Sequence, residues 1–310
     1  MSTHEAPPLV DVSVCIATFR RDTGLRRLLT SLRDTCADPR LRVEVIVVDN
    51  DAEESARNVV RAERATFPGL HYVSEPRQSI SHARNAAVAA ARGTWLAFID
   101  DDEEAEPGWL QAYWAAARRG DADGFFGPVV PVTAGDAPPW FRKDVFFAYA
   151  QIADGALVGA EHTRTGNAFL RRDLLAHERF DPAFGLTGGG DYELFARLLD
   201  AGARFRWCAG ARTRDYIPVT RLDLRWLLQR AFRGGYTYTV VDRRRHPGVV
   251  PDAQRIAKAL AGIALFAILL PFEMVSGWPG IMRRLRRICI QAGHLWAHLG
   301  PSVEPYRRQT

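Results

Sequence analysis

LVDVSVCIATF (residues 9–19) and VEVIVVDN (43–50) are apolar runs rich in valine and isoleucine, with little of the polar alternation of a half-exposed strand. A strand can be apolar on both sides only where both faces of its sheet are covered. Between the two runs, TGLRRLLTSLRDT sets Leu25, Leu28, Leu29 and Leu32 at three–four spacing, the buried stripe of an amphipathic helix. A polar helical stretch near 53–66, a short strand LHYVS (70–74), a helix ISHARNAAVAAAR (80–92) and a strand TWLAFI (94–99) continue the rhythm. Strand and helix in strict alternation make right-handed βαβ units, so the expected fold class is α/β, a parallel sheet with helices on both faces. Ligands of such sheets sit beyond the carboxyl ends of the strands. Three of those ends, ATFRR (17–21), DND (49–51) and DDDEE (100–104), are expected to face one crevice.

After residue 105 the rhythm changes. PGWLQAYWAAARR (107–119) reads as a helix started by Pro107, and GFFGPVVPV (124–132) as one strand punctuated by glycine and proline. A loop, AGDAPPWF (134–141), and TGNAFLRRDLL (165–175) follow. A glycine-rich turn then leads into DYELFARLLDAG (191–202), a helix burying Leu194, Phe195, Leu198 and Leu199. RFRWCA (204–209) reads as a further strand.

From about residue 222 the chain is helical and either basic or apolar. DLRWLLQRAFRGG (223–235) is expected to be a basic amphipathic helix ended by its glycine pair. Only 14 uncharged residues separate Lys258 from Glu273, short of the roughly 20 that span a bilayer. The stretch is broken at Pro271, and arginines flank it on both sides, at 243–245 and 283–287. A single crossing would put one cluster on the wrong side, so the segment is expected to lie in the membrane interface, or to dip in and return. The alternative is a helical pair packed on the rest of the chain or on a second copy.

The composition, 47% hydrophobic and 25% charged, is that of a globular protein. The net charge is +5, and Lys143 and Lys258 are the only lysines, so the positive charge is almost wholly arginine. That balance fits an anionic ligand or lipid surface. Cys15, Cys36, Cys208 and Cys289 have no paired or metal-finger spacing and read as reduced thiols. MSTHEAPPLVDV lacks the basic start and apolar stretch of a secretory signal, so a cytoplasmic protein, peripheral on the cytosolic face of the plasma membrane, is expected.

The acids that follow TWLAFI carry the chemistry. Like charges this close raise one another's pKa and oppose folding unless something positive sits among them. A divalent cation, a ring of arginines or plain solvation would each serve. Magnesium or manganese takes hard oxygen ligands and keeps positions open for substrate phosphates, which suits Asp100, Asp101 and Asp102. The plainer reading, acids at the start of the Pro107 helix, accounts for Glu103, Glu104 and Glu106 but not for three aspartates after a buried strand. At the second strand end, Asp49 and Asp51 could accept a base N–H and a ribose hydroxyl. The first adds Thr18, the ring of Phe19, and the cations Arg20 and Arg21. HARNAA sets Arg84 and Asn85 just upstream, where Arg84 could meet phosphate or hold a carboxylate. In FGLTGGGDYELFARL (184–198), Asp191 is either a first-turn acid or a base for an acceptor hydroxyl.

Taken in order, VSVCIATFRR, VIVVDND, SHARNAA, FIDDDE, GPV, TGNAFLRR and GGGDYELFARL resemble the bacterial family 2 glycosyltransferases of the GT-A fold. The likeness covers roughly residues 10–235 and is greatest to those that extend exopolysaccharides and other cell-surface glycans. It implies a Rossmann-like mixed sheet with a tail over 1–9, a catalytic domain over 10–221 (nucleotide half to about 105, acceptor half from 106) and a helical appendage over 222–310. It implies inverting, metal-dependent transfer from a nucleoside-diphosphate sugar, a uridine one by preference, to a saccharide or lipid-linked saccharide. Asp102 would be the metal ligand, Asp100 and Asp101 ribose and phosphate contacts, Asp49 the uracil acid, and Thr18 and Phe19 the base-lining segment. The family's Glu–Asp pair reads Gly190–Asp191 here, which keeps the aspartate as base. Asn167, Gly189 and Gly190 stand as acceptor-side candidates, with Arg230 and Arg233 for an arginine-rich segment near the diphosphate.

Rival readings are weaker. VVDNDAEE resembles the aspartyl nucleophile motif of haloacid-dehalogenase phosphatases, yet that chemistry needs a lysine between its motifs and none precedes residue 143. No GxGxxG follows the first strand, as a dinucleotide enzyme would have. An acidic crevice disfavours nucleic acid. A scaffold that keeps the fold without the activity remains an alternative.

Overall fold

Each apolar run of the first hundred residues becomes a buried strand in the computed structural model, which describes residues 10–303 except Ala134, Asp136, Pro139, Arg142 and residues 148–151. The tail expected over 1–9 lies outside the described residues. In chain order come β1 (Val12–Thr18), α1 (Asp22–Thr35), β2 (Val43–Asp49), α2 (Arg57–Arg64), β3 (Leu70–Ser74), α3 (Ile80–Ala90) and β4 (Trp95–Ile99). The four strands are parallel, ordered β3-β2-β1-β4. Alternate side chains of β1 go to opposite faces. Val12, Val14 and Ile16 pack with Leu25, Leu28, Leu29 and Leu32 of α1, while Cys15 packs with Ala83 and Ala87 of α3. At about 2 kcal/mol for each fully buried leucine, the α1 stripe is a main reason that this layer holds.

The chain continues through β5 (Glu103–Ala105), α4 (Trp109–Ala117), β6 (Gly124–Phe126), β7 (Val129–Thr133), α5 (Lys143–Phe146), β8 (Asn167–Arg171), α6 (Leu174–His177), α7 (Gly190–Asp200), β9 (Phe205–Trp207) and β10 (Thr213–Ile217). The main sheet is mixed, as the family resemblance implies. It has seven strands in the order β3-β2-β1-β4-β8-β6-β9, with β8 antiparallel to both neighbours. A second sheet has the order β5-β10-β7. GFFGPVVPV is therefore two strands in two sheets rather than one, because Gly127–Pro128 carries the chain between them. The helix after Pro107 begins at Trp109, with Pro107–Gly108 as the turn before it. Glu103 and Glu104 lie in β5 and cap no helix.

Three helices follow: α8 (Leu224–Arg245), α9 (Val249–Leu269) and α10 (Gly277–Leu299). Asp223 caps α8 by accepting from the Trp226 N–H. The glycine pair does not end this helix, which runs ten residues past Gly235. A Cβ at Gly235 would lie 2.0 Å from the Ile290 carbonyl oxygen, so the glycine serves the close crossing of α8 and α10 instead. Pro271 does end α9, opening a 3-10 turn over Pro271–Ser276. A third core joins this appendage to the sheets through Phe146, Ile217, Leu227 and Met282. Among the described residues no helix is long and apolar enough to cross a membrane.

Candidate active site

The ends of β1 and β4 meet across a cleft of about 740 Å³. Thr18 finishes β1, and its hydroxyl donates to Asp101 Oδ2 at 2.8 Å. Arg21, three residues on, donates through Nη1 to Asp101 Oδ1 at 2.8 Å and Asp102 Oδ2 at 2.7 Å. Arg221 reaches Asp102 Oδ2 from the other side at 3.1 Å. From α3, Arg84 approaches Asp100 Oδ1 at 3.4 Å. Arginines from three parts of the chain thus answer the repulsion among the three aspartates.

Burial pushes Asp101 up to about 6, with Arg21 pulling the other way. Asp100 is raised too, first by burial and then by the charges of Asp102 and Asp191, against Arg84. Its side chain is nonetheless 45% accessible, so what it meets is the space of the cleft. Glu103 is buried and its carboxyl stands well above the usual range, through burial and then the nearness of Asp100. β10 sets Asp215 opposite Glu103, and burial pushes Asp215 up to about 6.

Asp191 occupies the first turn of α7, where its Oδ1 accepts from the Tyr192 N–H at 2.9 Å, and it lines the same cleft. Gly189, before it, has φ 88°, and a Cβ there would lie 1.9 Å from Thr237 Cγ2 on α8. The glycine turn is pressed against the appendage in a conformation that side chains resist.

Among the expected residues, Thr18, Phe19, Arg84 and all three aspartates line the cleft. Gly189, Gly190, Asp191, Arg230 and Arg233 line it as well. Four do not. Arg20 adopts φ 53° and turns away to pair with Asp51 at 2.7 Å and Glu53 at 2.9 Å, so of these two neighbours it is Arg21 that reaches the acids. Asp51 is held in that pair. Asp49 is fully buried, its oxygens accepting from the Asp51 and Ala56 N–H groups and the Tyr72 hydroxyl. From this strand end it is Asn50 that lines the cleft, its amide bonded to the Glu75 and Arg77 carbonyls and the Ser79 N–H. Asp49 has neither the exposure nor the lysine that an aspartyl nucleophile requires, which removes the phosphatase alternative. Asn167 is corrected as well. It is fully buried, accepting from Trp109 Nε1 and the Tyr113 hydroxyl and donating to the Pro128 and Ala211 carbonyls, so no atom is left for an acceptor.

Glu103, Asp215 and Arg221 were missed. The alternation in TRDYI was the available signal for β10, and a period-two reading would have aimed Thr213, Asp215 and Ile217 to one face. Nothing local says that this face meets the acids of β4. For a divalent cation, the donor set is hard carboxylate oxygen at a cleft wall, which fits magnesium or manganese completed by substrate phosphates. Among the described residues no group of three or more ligating side chains converges into a cage of its own.

The profile of Glycosyl transferase family 2 matches residues 13–179, more than half of the chain. The chain is 37% identical to succinoglycan biosynthesis protein ExoM of Rhizobium meliloti over 96% of its own length and 95% of that protein's. It is 27% identical to ExoO of the same organism over 96% and 94%. Among solved structures, S. aureus TarS residues 1–349 in complex with UDP superposes with a TM-score of 0.54, covering 91% of this chain and 89% of that one. The chain spans 40% of the longer TarS structure. At 14% identity the TarS likeness speaks for the fold alone.

Proposed function

The chain belongs to glycosyl transferase family 2, and from that premise we propose that it moves a sugar from a uridine diphosphate sugar to an acceptor hydroxyl, with inversion, in the assembly of a cell-surface polysaccharide. The observation that carries the reading is the meeting of Asp100, Asp101 and Asp102 with Asp191 in one cleft, with Thr18 and Phe19 beside them. The ExoM relative supports the polysaccharide, and the choice of a uridine donor follows the family resemblance, with TarS as an example of this fold that holds UDP.

In the proposed reaction the base and ribose lie towards Phe19 and Asn50 at the ends of β1 and β2. Asp102, with Asp100 and Asp101 next to it, would hold Mg²⁺ or Mn²⁺, which supplies positive charge to the departing diphosphate. In this reading Arg21 and Arg221, which pair with Asp102, would release it and turn to phosphate. Asp191 accepts the proton of the acceptor hydroxyl as its oxygen bonds to the anomeric carbon and the bond to the diphosphate breaks. One displacement inverts the centre and needs no enzyme nucleophile. Gly190, in place of the family's glutamate, leaves Asp191 as the sole acid of that pair. The acceptor we favour is a lipid-linked saccharide at the cytosolic membrane face. Leu265, Ile268 and Phe272 of the α9 region are exposed at three–four spacing, with Trp278 nearby and arginines at 283–287.

Asp191→Asn tests the mechanism. Transfer with manganese is expected to fall by about 10²–10⁴-fold, while UDP binding stays unchanged. An equally active variant would remove Asp191 as base, and a wild type inactive with every uridine sugar would leave the scaffold alternative standing.

A further inference from the structure

Three hollows meet at one side chain. Arg230 of α8 lines the donor cleft, a hollow of about 340 Å³ beside Asp191, and another of about 480 Å³ between α5, α8 and α10. Asp191 is shared by the first two, and Gly234 and Tyr238 by the last two. The shared residues set the three hollows side by side, as a groove running from Asp191 across α8 to α10 and crossed by Arg230.

The far end of this groove is walled by apolar Phe146, Leu227 and Ile290, yet it also holds Arg286. Arg286 has no hydrogen-bond or ion-pair partner among the described residues. Burial, and then the like charges of Arg230 and Arg287, hold its guanidinium below the usual arginine range. A half-buried cation set among cations is unfavourable until an anion joins it. A guanidinium fork matches phosphate oxygens closely, and the apolar walls beside it exclude competing water.

We propose that this groove is the acceptor subsite, and that Arg286 with Arg230 takes the phosphate groups of a lipid-diphosphate-linked saccharide. The saccharide would reach back to Asp191 and the first part of the lipid would lie against the apolar walls. The inference rests on the transferase reading above and names the acceptor class of that same site.

The test uses the full chain with its donor site first filled by UDP and Mg²⁺, titrated with farnesyl diphosphate, inorganic pyrophosphate or farnesol. Wild type, Arg286→Gln and Arg286→Lys are compared, with thermal unfolding checking that each is folded. Farnesyl diphosphate is expected to bind the wild type at least about tenfold more tightly than Arg286→Gln, with Arg286→Lys between them and UDP affinity equal in all three. Pyrophosphate should bind more weakly than farnesyl diphosphate, and farnesol should fail to compete. No binding to the wild type, or equal affinity for Arg286→Gln, overturns the proposal. Pyrophosphate binding as tightly as farnesyl diphosphate overturns the lipid-borne source. Failure of the wild type to bind UDP would instead sink the donor reading, and the same comparison of wild type with Arg286→Gln, run without UDP, would still decide the groove.

Discussion

Asn167 shows how one amide can hold a site without touching substrate. Its two donors and its acceptor oxygen tie Trp109 and Tyr113 of α4 to the Pro128 and Ala211 carbonyls, where the two sheets join. Asn167→Ala would leave Trp109 Nε1 and the Ala211 carbonyl unanswered, each orphan costing about 1–3 kcal/mol, while Tyr113 keeps the backbone oxygen of residue 167 and the Pro128 carbonyl keeps the Thr213 N–H. A loss of at least about 2 kcal/mol in unfolding free energy is expected, read by urea denaturation. A loss below 1 kcal/mol would mean that water or a shifted side chain replaces the amide. Asp102 makes the opposite case, a residue whose partners are there to be exchanged. Its carboxylate is partly exposed and shared by two arginines from distant segments, so its pairing is far less anchored than that of Asn167.

Glu44 of β2 binds the start of the parallel sheet to its neighbours. It accepts from the Ser13 hydroxyl on β1 at 2.6 Å and from the Arg92 N–H and guanidinium after α3. Burial alone would raise its pKa, but the Ser13 hydroxyl, the Arg92 N–H and the Arg92 charge together hold it below its ordinary 4.5. A carboxylate depressed in the folded state stabilises above its unfolded pKa and loses that contribution as pH falls through the folded value. Wild type should therefore exceed Glu44→Gln in melting temperature by the most above pH 4.5, the gap closing as pH falls further below that value. A gap that stayed constant with pH would mean that shape, not charge, is what Glu44 supplies. The longer helices show a related dependence on neighbours, since Gly235 would end α8 by local propensity but for the backbone of α10 against it.

The appendage is fastened to the catalytic sheets by the core around Phe146, Leu227 and Met282, and it presents its unfastened side as an apolar stripe. Cutting the chain at 235 would sever α8 in its middle, so the membrane reading is better tested on the full chain. Leu265, Ile268 and Phe272 changed together to serine should abolish sedimentation with anionic liposomes and leave the melting temperature near that of the wild type, because all three are exposed. Sedimentation unchanged in the variant would remove the stripe as a membrane contact. The groove of Arg286 lies on the fastened side of the appendage, between α5, α8 and α10.

The strand runs, the α1 stripe and the acids after β4 could all be read along the chain, because each depends on period or on residues adjacent in sequence. That reading located Thr18, Phe19, Arg84, Asp100, Asp101, Asp102 and Asp191, all of which line the cleft. Partnership was decided by the folded chain alone. Whether Arg20 or Arg21 meets the acids turns on one backbone angle, and whether Asn167 faces an acceptor or a buried tryptophan turns on where α4 lies. Arg221 meets Asp102 across 119 residues, a separation that no local pattern of charge or hydropathy encodes.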